Sequence, residues 1–146
     1  MGIGFYRSPQ VPWATGGQGA VRYEAENAAI SRGVAESNHA RFSGTGFVNY
    51  DNAAGSYVQW TVNAAAAGAA TLRLRYANGT TTGRPMDIAV NGTTAAAGVA
   101  FDGTGAWTTW QTRTLTVNLN AGTNTVRATA TTAGGGPNVD YIEIQR

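Results

Sequence analysis

The sequence predicts an all-β fold, a two-sheet β-sandwich with jelly-roll topology. Three observations predict it. Apolar residues recur at every second position in several short segments, as in strands that bury one face. Gly and Asn separate these segments at spacings of roughly 8–12 residues, which is typical of sandwiches and barrels. Charged residues are only 12% of the 146 residues, and no window of about eleven residues shows a helical 3.6-residue stripe.

The chain divides into two parts. Residues 1–19 lack periodicity and contain Pro12 and several glycines, so they are interpreted as a linker or an expression-derived lead-in. Residues 20–146 are predicted to form one domain, since that length can bury one core. The start of the chain shows neither a charged nor an apolar stretch of the kind found in signal peptides.

The predicted strands follow one another from residue 57 onward. In Tyr57–Val62, the apolar Val58, Trp60 and Val62 share one face. The later strands alternate in the same way, with these apolar residues: Leu72, Leu74 and Tyr76; Met86, Ile88 and Val90; Leu115, Val117 and Leu119; Val126, Ala128 and Ala130; and Val139 to Ile144. Asn91-Gly92 predicts a hairpin. The alanine-rich Ala64–Ala70 is predicted to be a turn or one helical turn.

Composition excludes several classes of function. All ten basic residues are Arg, scattered along the chain with a net charge of +2, so no basic stripe for nucleic acid is present. No segment approaches the roughly 20 apolar residues that span a bilayer. The absence of Cys excludes disulfides and thiolate metal sites.

Catalysis is disfavoured by what the sequence lacks. It has eight acids and one histidine, His39, with no Gly-x-Ser-x-Gly elbow and no His-Glu-x-x-His helix. His39 is expected to be an exposed loop residue. Two functions other than ligand binding stay open: a small polysaccharide-degrading enzyme with an acid pair such as Asp51 and Asp87, and a structural sandwich that spaces other domains.

The acids predict a metal site. Glu24 and Glu26 are two residues apart, so on a strand their carboxylates share one side and repel unless a cation lies between them. Calcium takes 6–8 oxygen ligands and suits such a pair, with Asp140 of the last strand as a third acid. The alternative is a solvated edge. The loop Asn49–Asn52 is either a simple turn or a second metal site.

Loop residues predict a ligand site. Trp107 lies in a Gly-rich turn, where it either plugs the core or offers its face to a sugar ring. Trp110 is expected to begin the next strand, in the core. Arg84 is either a solvated loop residue or a planar donor for a carboxylate or for neighbouring hydroxyls. Asn138 lies where loops gather at one end of a sandwich.

Six motifs in this order resemble carbohydrate-binding modules of family 35, with family 6 close behind. They cover almost all of residues 21–146: Tyr23-Glu24-Ala25-Glu26, Gly44-Thr45-Gly46-Phe47-Val48, Arg75-Tyr76-Ala77-Asn78-Gly79, Arg84-Pro85-Met86-Asp87-Ile88-Ala89-Val90-Asn91-Gly92, Trp107-Thr108-Thr109-Trp110 and Pro137-Asn138-Val139-Asp140-Tyr141-Ile142. The resemblance implies a jelly roll with a structural calcium held by Glu24, Glu26 and Asp140.

The resemblance also implies a non-catalytic role. The glycan-binding residues would be Tyr50, Asn78, Arg84, Trp107 and Asn138. A second calcium, held by Asp51 with Asn49 or Asn52, would bridge the protein to a uronic acid, while another branch of the family binds neutral mannans or galactans. The expected partners are a uronic-acid-containing plant cell-wall glycan and an appended catalytic domain, in a secreted, monomeric bacterial module.

Overall fold

A computed structural model describes residues 19–146. Most of the predicted lead-in, residues 1–18, lies outside the described residues. The described strands are β1 (Val21–Glu24), β2 (Ala29–Ser31), β3 (Gly33–Glu36), β4 (Phe47–Tyr50), β5 (Tyr57–Ala64), β6 (Gly68–Ala77), β7 (Met86–Val90), β8 (Thr93–Val99), β9 (Gln111–Leu119), β10 (Gly122–Ala130) and β11 (Asn138–Gln145). A single-turn 3-10 helix, Ala25–Asn27, follows β1.

Two antiparallel sheets pack face to face. Within residues 19–146, the larger sheet runs β3-β4-β11-β6-β9, with β1 also paired to β11, and the smaller runs β2-β5-β10-β7-β8. The first strand, β1, pairs with the last strand, β11. The all-β sandwich fold is therefore confirmed.

The core lies between the sheets and uses the alternating residues that the sequence predicted. Val58, Trp60 and Val62 of β5 face Leu72 and Leu74 of β6, all of them at most 2% exposed. Burying an aliphatic side chain of this size contributes about 1.5–3 kcal/mol. The prediction for Ala64–Ala70 was partly wrong, because β5 continues to Ala64 and β6 begins at Gly68. Cross-strand pairing with β9 and β10 extends both strands beyond what their small side chains indicate.

The long connections gather at one end of the sandwich. The loops after β4, β6, β8 and β10 lie there because these strands all run toward that end, and their partners β5, β7, β9 and β11 begin there. The opposite end has a tight turn at Asn91-Gly92, as predicted, and another near Ala121. In the part of the chain that the structure describes, no helix is long and apolar enough to cross a bilayer.

Candidate functional site

Three acids from distant parts of the chain meet beside the larger sheet. Ligand oxygens of Glu24, Glu26 and Asp140 all lie within 4.8 Å of one another. Glu24 ends β1, whereas Glu26 lies in the 3-10 helix. The two acids therefore do not lie two positions apart on one strand, contrary to the prediction. Asp140 lies at an irregularity of β11, between Val139 and Tyr141. The predicted convergence is present, by a different local geometry.

Donors from one loop hold these acids in place. Ser43 donates its backbone N–H to both Asp140 carboxylate oxygens at 3.0 Å, and its hydroxyl donates to Glu24 Oε2 at 2.6 Å. Thr45 N–H donates to Glu26 Oε2 at 3.1 Å. Arg75 Nη1 donates to Asp140 Oδ2 at 2.6 Å. One oxygen of each glutamate and both oxygens of Asp140 therefore have donors from the protein.

Within residues 19–146, the remaining oxygens of the cluster lack a positively charged partner. Glu24 Oε1 and Glu26 Oε1 are buried with no hydrogen-bond partner among the described residues. Burial raises the pKa of Asp140 to about 6, in spite of the opposing effects of Arg75 and Ser43. Buried acceptors without donors cost free energy unless a cation compensates them. With oxygen ligands only, the cluster suits calcium better than a softer metal.

Gly44 closes the cluster. A Cβ atom there would lie 2.5 Å from Glu26 Oε2 and 3.0 Å from Glu24 Cδ, and its φ is +62°. Only glycine adopts this conformation without strain while leaving room for the carboxylates.

Trp107 lies in the loop end of the sandwich, half-buried. A Cβ on Gly79 would come within 2.5 Å of the indole, so the ring packs directly against this backbone. The Arg84 guanidinium carbon lies 5.5 Å from the ring centroid, and Arg84 Nη1 donates to the Gly136 carbonyl at 3.2 Å. Burial lowers the pKa of Arg84. An indole and a partly desolvated guanidinium are therefore adjacent.

Three predicted glycan contacts lie beneath the surface instead. Asn78 is fully buried, and its amide donates to the carbonyls of Thr82 and Phe101 at 2.9 and 3.1 Å. Tyr50 is 2% exposed and donates its hydroxyl to the Ala128 carbonyl. Asn78 thus supports the loops that carry Arg84 and Trp107, whereas the Tyr50 hydroxyl is bonded to strand β10 inside the sandwich. Asn138 is 4% exposed at the start of β11.

The loop predicted to hold a second metal is open. Asp51 and Asn52 are exposed, while Asn49 donates its amide to Glu36 Oε1 on β3 at 3.1 Å. Asp87, suggested as the other half of an acid pair with Asp51, instead accepts the N–H of Gly98 at 2.8 Å.

Two expectations were wrong. His39 is half-buried and stacks on Trp107, with ring centroids 6.1 Å apart and an interplanar angle of 25°. Trp110 precedes β9 and packs on Phe47 on the outer face of the larger sheet, outside the main core. Ser43 was missed as a positioning group, because one serine in a polar stretch gives no sequence signal beyond the neighbouring Gly44-Thr45-Gly46 motif.

Comparisons with known proteins agree with this geometry. The model for "Carbohydrate binding module (family 6)" matches residues 24–146. A family 35 carbohydrate-binding module from Clostridium thermocellum superposes with a TM-score of 0.85 at 47% identity, covering 86% of this chain and 97% of that one. Another family 35 module, solved with a disaccharide containing glucuronic acid, gives a TM-score of 0.78 at 40% identity and covers 85% and 91%.

Longer enzymes carry similar segments. An exo-beta-D-glucosaminidase from Amycolatopsis orientalis is 58% identical over 124 residues, which are 85% of this chain and 12% of the enzyme. An endo-1,4-beta-xylanase B from Cellvibrio japonicus is 44% identical over 113 residues, which are 77% of this chain and 19% of the enzyme. This chain thus spans less than a fifth of the length of these curated relatives. With the sandwich, its acid cluster and these matches together, the chain belongs to the carbohydrate-binding modules of the related families 6 and 35, and the predicted resemblance to family 35 is confirmed.

Proposed function

We propose that this module binds uronic-acid-containing glycans at its loop end in a calcium-dependent manner and performs no catalysis itself. It would hold an appended catalytic domain of a secreted bacterial protein on plant cell-wall polysaccharide. Such tethering raises the effective concentration of the enzyme at its substrate without any new chemistry.

The contact between Arg84 and Trp107 carries the proposal. An indole face packs against the C–H face of a pyranose, and a guanidinium fork matches a carboxylate with two parallel donors. A uronic acid carries both groups on one ring. The two protein groups lie 5.5 Å apart, which is within the span of one sugar. A module at 40% identity was solved with a disaccharide that contains glucuronic acid, which supports the same ligand class here.

Calcium would have two roles. At Glu24, Glu26 and Asp140 it would neutralise the buried carboxylates and cross-link β1, the 3-10 helix and β11. At Asp51, with Asn49 or Asn52, a second ion would lie beside the glycan and contact the uronate. Asp51 and Asn52 are exposed, so they are free to turn toward a ligand.

Isothermal titration of glucuronic acid into the protein tests the proposal. The wild type should release heat in calcium and lose most of it in excess EDTA. Trp107→Ala and Arg84→Gln should each weaken binding about tenfold or more, as expected for a stacking face or a charge-assisted pair. Arg113→Gln is the matched control, because Arg113 is exposed on β9, away from Trp107.

Other ligands give other patterns. Equal affinity for mannan or galactan oligosaccharides, with Arg84→Gln unaffected, would favour a neutral-glycan module. Reducing sugar released by the isolated chain, and lost in Asp51→Ala, would contradict the non-catalytic role.

A further inference from the structure

We propose that His39 is a positioning residue for Trp107, and that the segment 39–46 couples the acid cluster to the loop end. The inference rests on the proposed function for its effect on glycan affinity, but the coupling itself can be measured without any glycan. Under this proposal, the occupancy of calcium at Glu24, Glu26 and Asp140 determines how the Trp107 indole is positioned.

The indole has few other supports. Trp107 follows a Gly-rich loop, and it packs on Gly79, beside Arg84 and against the His39 ring. Gly79 offers no side chain, and Arg84 is held by the Gly136 carbonyl. His39 is therefore the one ring that stacks on Trp107 among the described residues.

His39 itself belongs to a small aromatic cluster on the outer face of the larger sheet. Val48 and Tyr50 of β4 point into the main core, so Phe47 points the other way. Phe47 is nevertheless completely buried, because the rings of His39, Phe42 and Trp110 lie 5.8, 5.9 and 5.5 Å from it. The segment 39–46 thus covers an outer-face core of its own.

The other contacts of this segment lead to the acid cluster. Trp110 Nε1 donates to the Ala40 carbonyl at 2.9 Å, and Arg75 Nη1 donates to the Arg41 carbonyl at 2.7 Å. The same Arg75 nitrogen donates to Asp140 Oδ2. Ser43, Gly44 and Thr45 then contact all three carboxylates. Within seven residues the chain connects His39 to every acid of the cluster.

This continuity gives a physical reason for coupling. Without a cation, three neighbouring carboxylates repel, and the loop that donates to them loses its fixed geometry. With a cation the carboxylates are held, Ser43 and Thr45 are held with them, and the His39 ring has one position. By linkage, calcium that strengthens glycan binding is itself bound more tightly when glycan is present.

The first experiment follows the Trp107 indole N–H by NMR, assigned from its loss in Trp107→Phe. It is made in Asp51→Asn, so that an ion in the Asn49–Asn52 loop does not contribute. Removing calcium should shift or broaden this signal while the far-UV circular dichroism stays that of a folded sandwich. His39→Ala should shift the signal in the calcium-loaded protein and reduce its response to calcium.

The second experiment measures glucuronic acid affinity in calcium-loaded variants. His39→Ala should weaken binding about three- to tenfold, the factor expected for losing one aromatic pair, and His39→Phe should restore it. Asn38→Ala is the matched control, because Asn38 is exposed one residue away. The proposal is overturned if the indole N–H signal changes neither on calcium removal nor in His39→Ala. It is also overturned if His39→Ala binds glucuronic acid with wild-type affinity. Absence of glucuronic acid binding in the wild type would instead contradict the proposed function, and the indole signal would still decide the coupling.

Discussion

Two regions with oxygen ligands were predicted from the sequence to bind calcium, and they differ in burial and in hydrogen bonding. Glu24, Glu26 and Asp140 come from three separate elements and meet in a place where two of their oxygens are buried and unpaired. Asn49 lies on β4 and is bonded to Glu36, whereas Asp51 and Asn52 directly follow that strand and are exposed.

The difference shows what distinguishes a candidate structural metal site from a polar loop. In the acid cluster, the fold has already removed water from the carboxylates. Without an ion this burial is unfavourable in free energy, and a bound cation would offset it. In the Asn49–Asn52 loop, water satisfies the exposed groups, so an ion there has little to stabilise until a ligand supplies further oxygens. We therefore expect the first site to control stability and, through residues 39–46, part of the glycan affinity, whereas the second site should affect glycan binding alone.

The largest expected effect comes from Asp140→Asn. In calcium it should lower the free energy of unfolding by about 3 kcal/mol, because a metal ligand and the partner of Arg75 are lost together. In EDTA the loss should fall below about 1 kcal/mol, since the neutral amide no longer repels Glu24 and Glu26. Urea denaturation measures both values.

Glu143→Gln is the control for that substitution. Its ion pair with Arg22 is on the surface, where the Arg22 side chain is 44% exposed, and such pairs contribute under about 1 kcal/mol. Equal losses for Asp140→Asn with and without calcium would show that no ion depends on this cluster.

Removal of calcium from the wild type should have the next largest effect. With calcium ~100-fold above its Kd, binding to the folded state alone adds about 2.7 kcal/mol, or roughly 10 °C in Tm. Magnesium should recover less of this, because it prefers strict octahedral geometry and keeps its waters. A Tm that is the same in calcium and in EDTA would contradict the assignment of the cluster.

Gly44→Ala should cost about 2 kcal/mol and weaken calcium binding, because it combines a left-handed conformation with a Cβ 2.5 Å from Glu26 Oε2. Gly98→Ala separates these causes. Gly98 has a similar φ of +58° but open space around its Cβ position. A similar loss in both variants, with unchanged calcium affinity, would mean that backbone strain alone is responsible.

The two regions also show how far the sequence could predict this molecule. Alternation identified Val58, Trp60, Leu72 and Leu74 as core residues, because a strand with one buried face has a period of two whatever its neighbours are. The convergence of Glu24, Glu26 and Asp140 was predictable from charge repulsion and the proximity of first and last strands.

Contacts across the outer face of the sheet were not predictable in this way. His39 and Trp110 cover Phe47, which faces away from the main core and whose burial depends on how residues 39–46 fold back over it. Likewise Tyr50 and Asn78 have the polar atoms of glycan-binding residues, but tertiary packing directs those atoms to backbone carbonyls. Side-chain chemistry indicates what a residue can bind, and only the fold determines which partner it reaches.

The smallest effect on stability, and the most discriminating result, is expected for Asp51→Asn. Because Asp51 is exposed, the substitution should change the free energy of unfolding by less than about 0.5 kcal/mol and leave the calcium-dependent rise in Tm intact. Its glucuronic acid affinity should nevertheless lose the part of its calcium dependence that a bridging ion in this loop supplies, while the part that depends on Glu24, Glu26 and Asp140 remains. Titrations of Tm and of glycan affinity against calcium should then follow two different curves in the wild type. If both instead follow one curve, and Asp51→Asn changes neither, a single ion at Glu24, Glu26 and Asp140 accounts for both effects, and no ion in the Asp51 loop is needed.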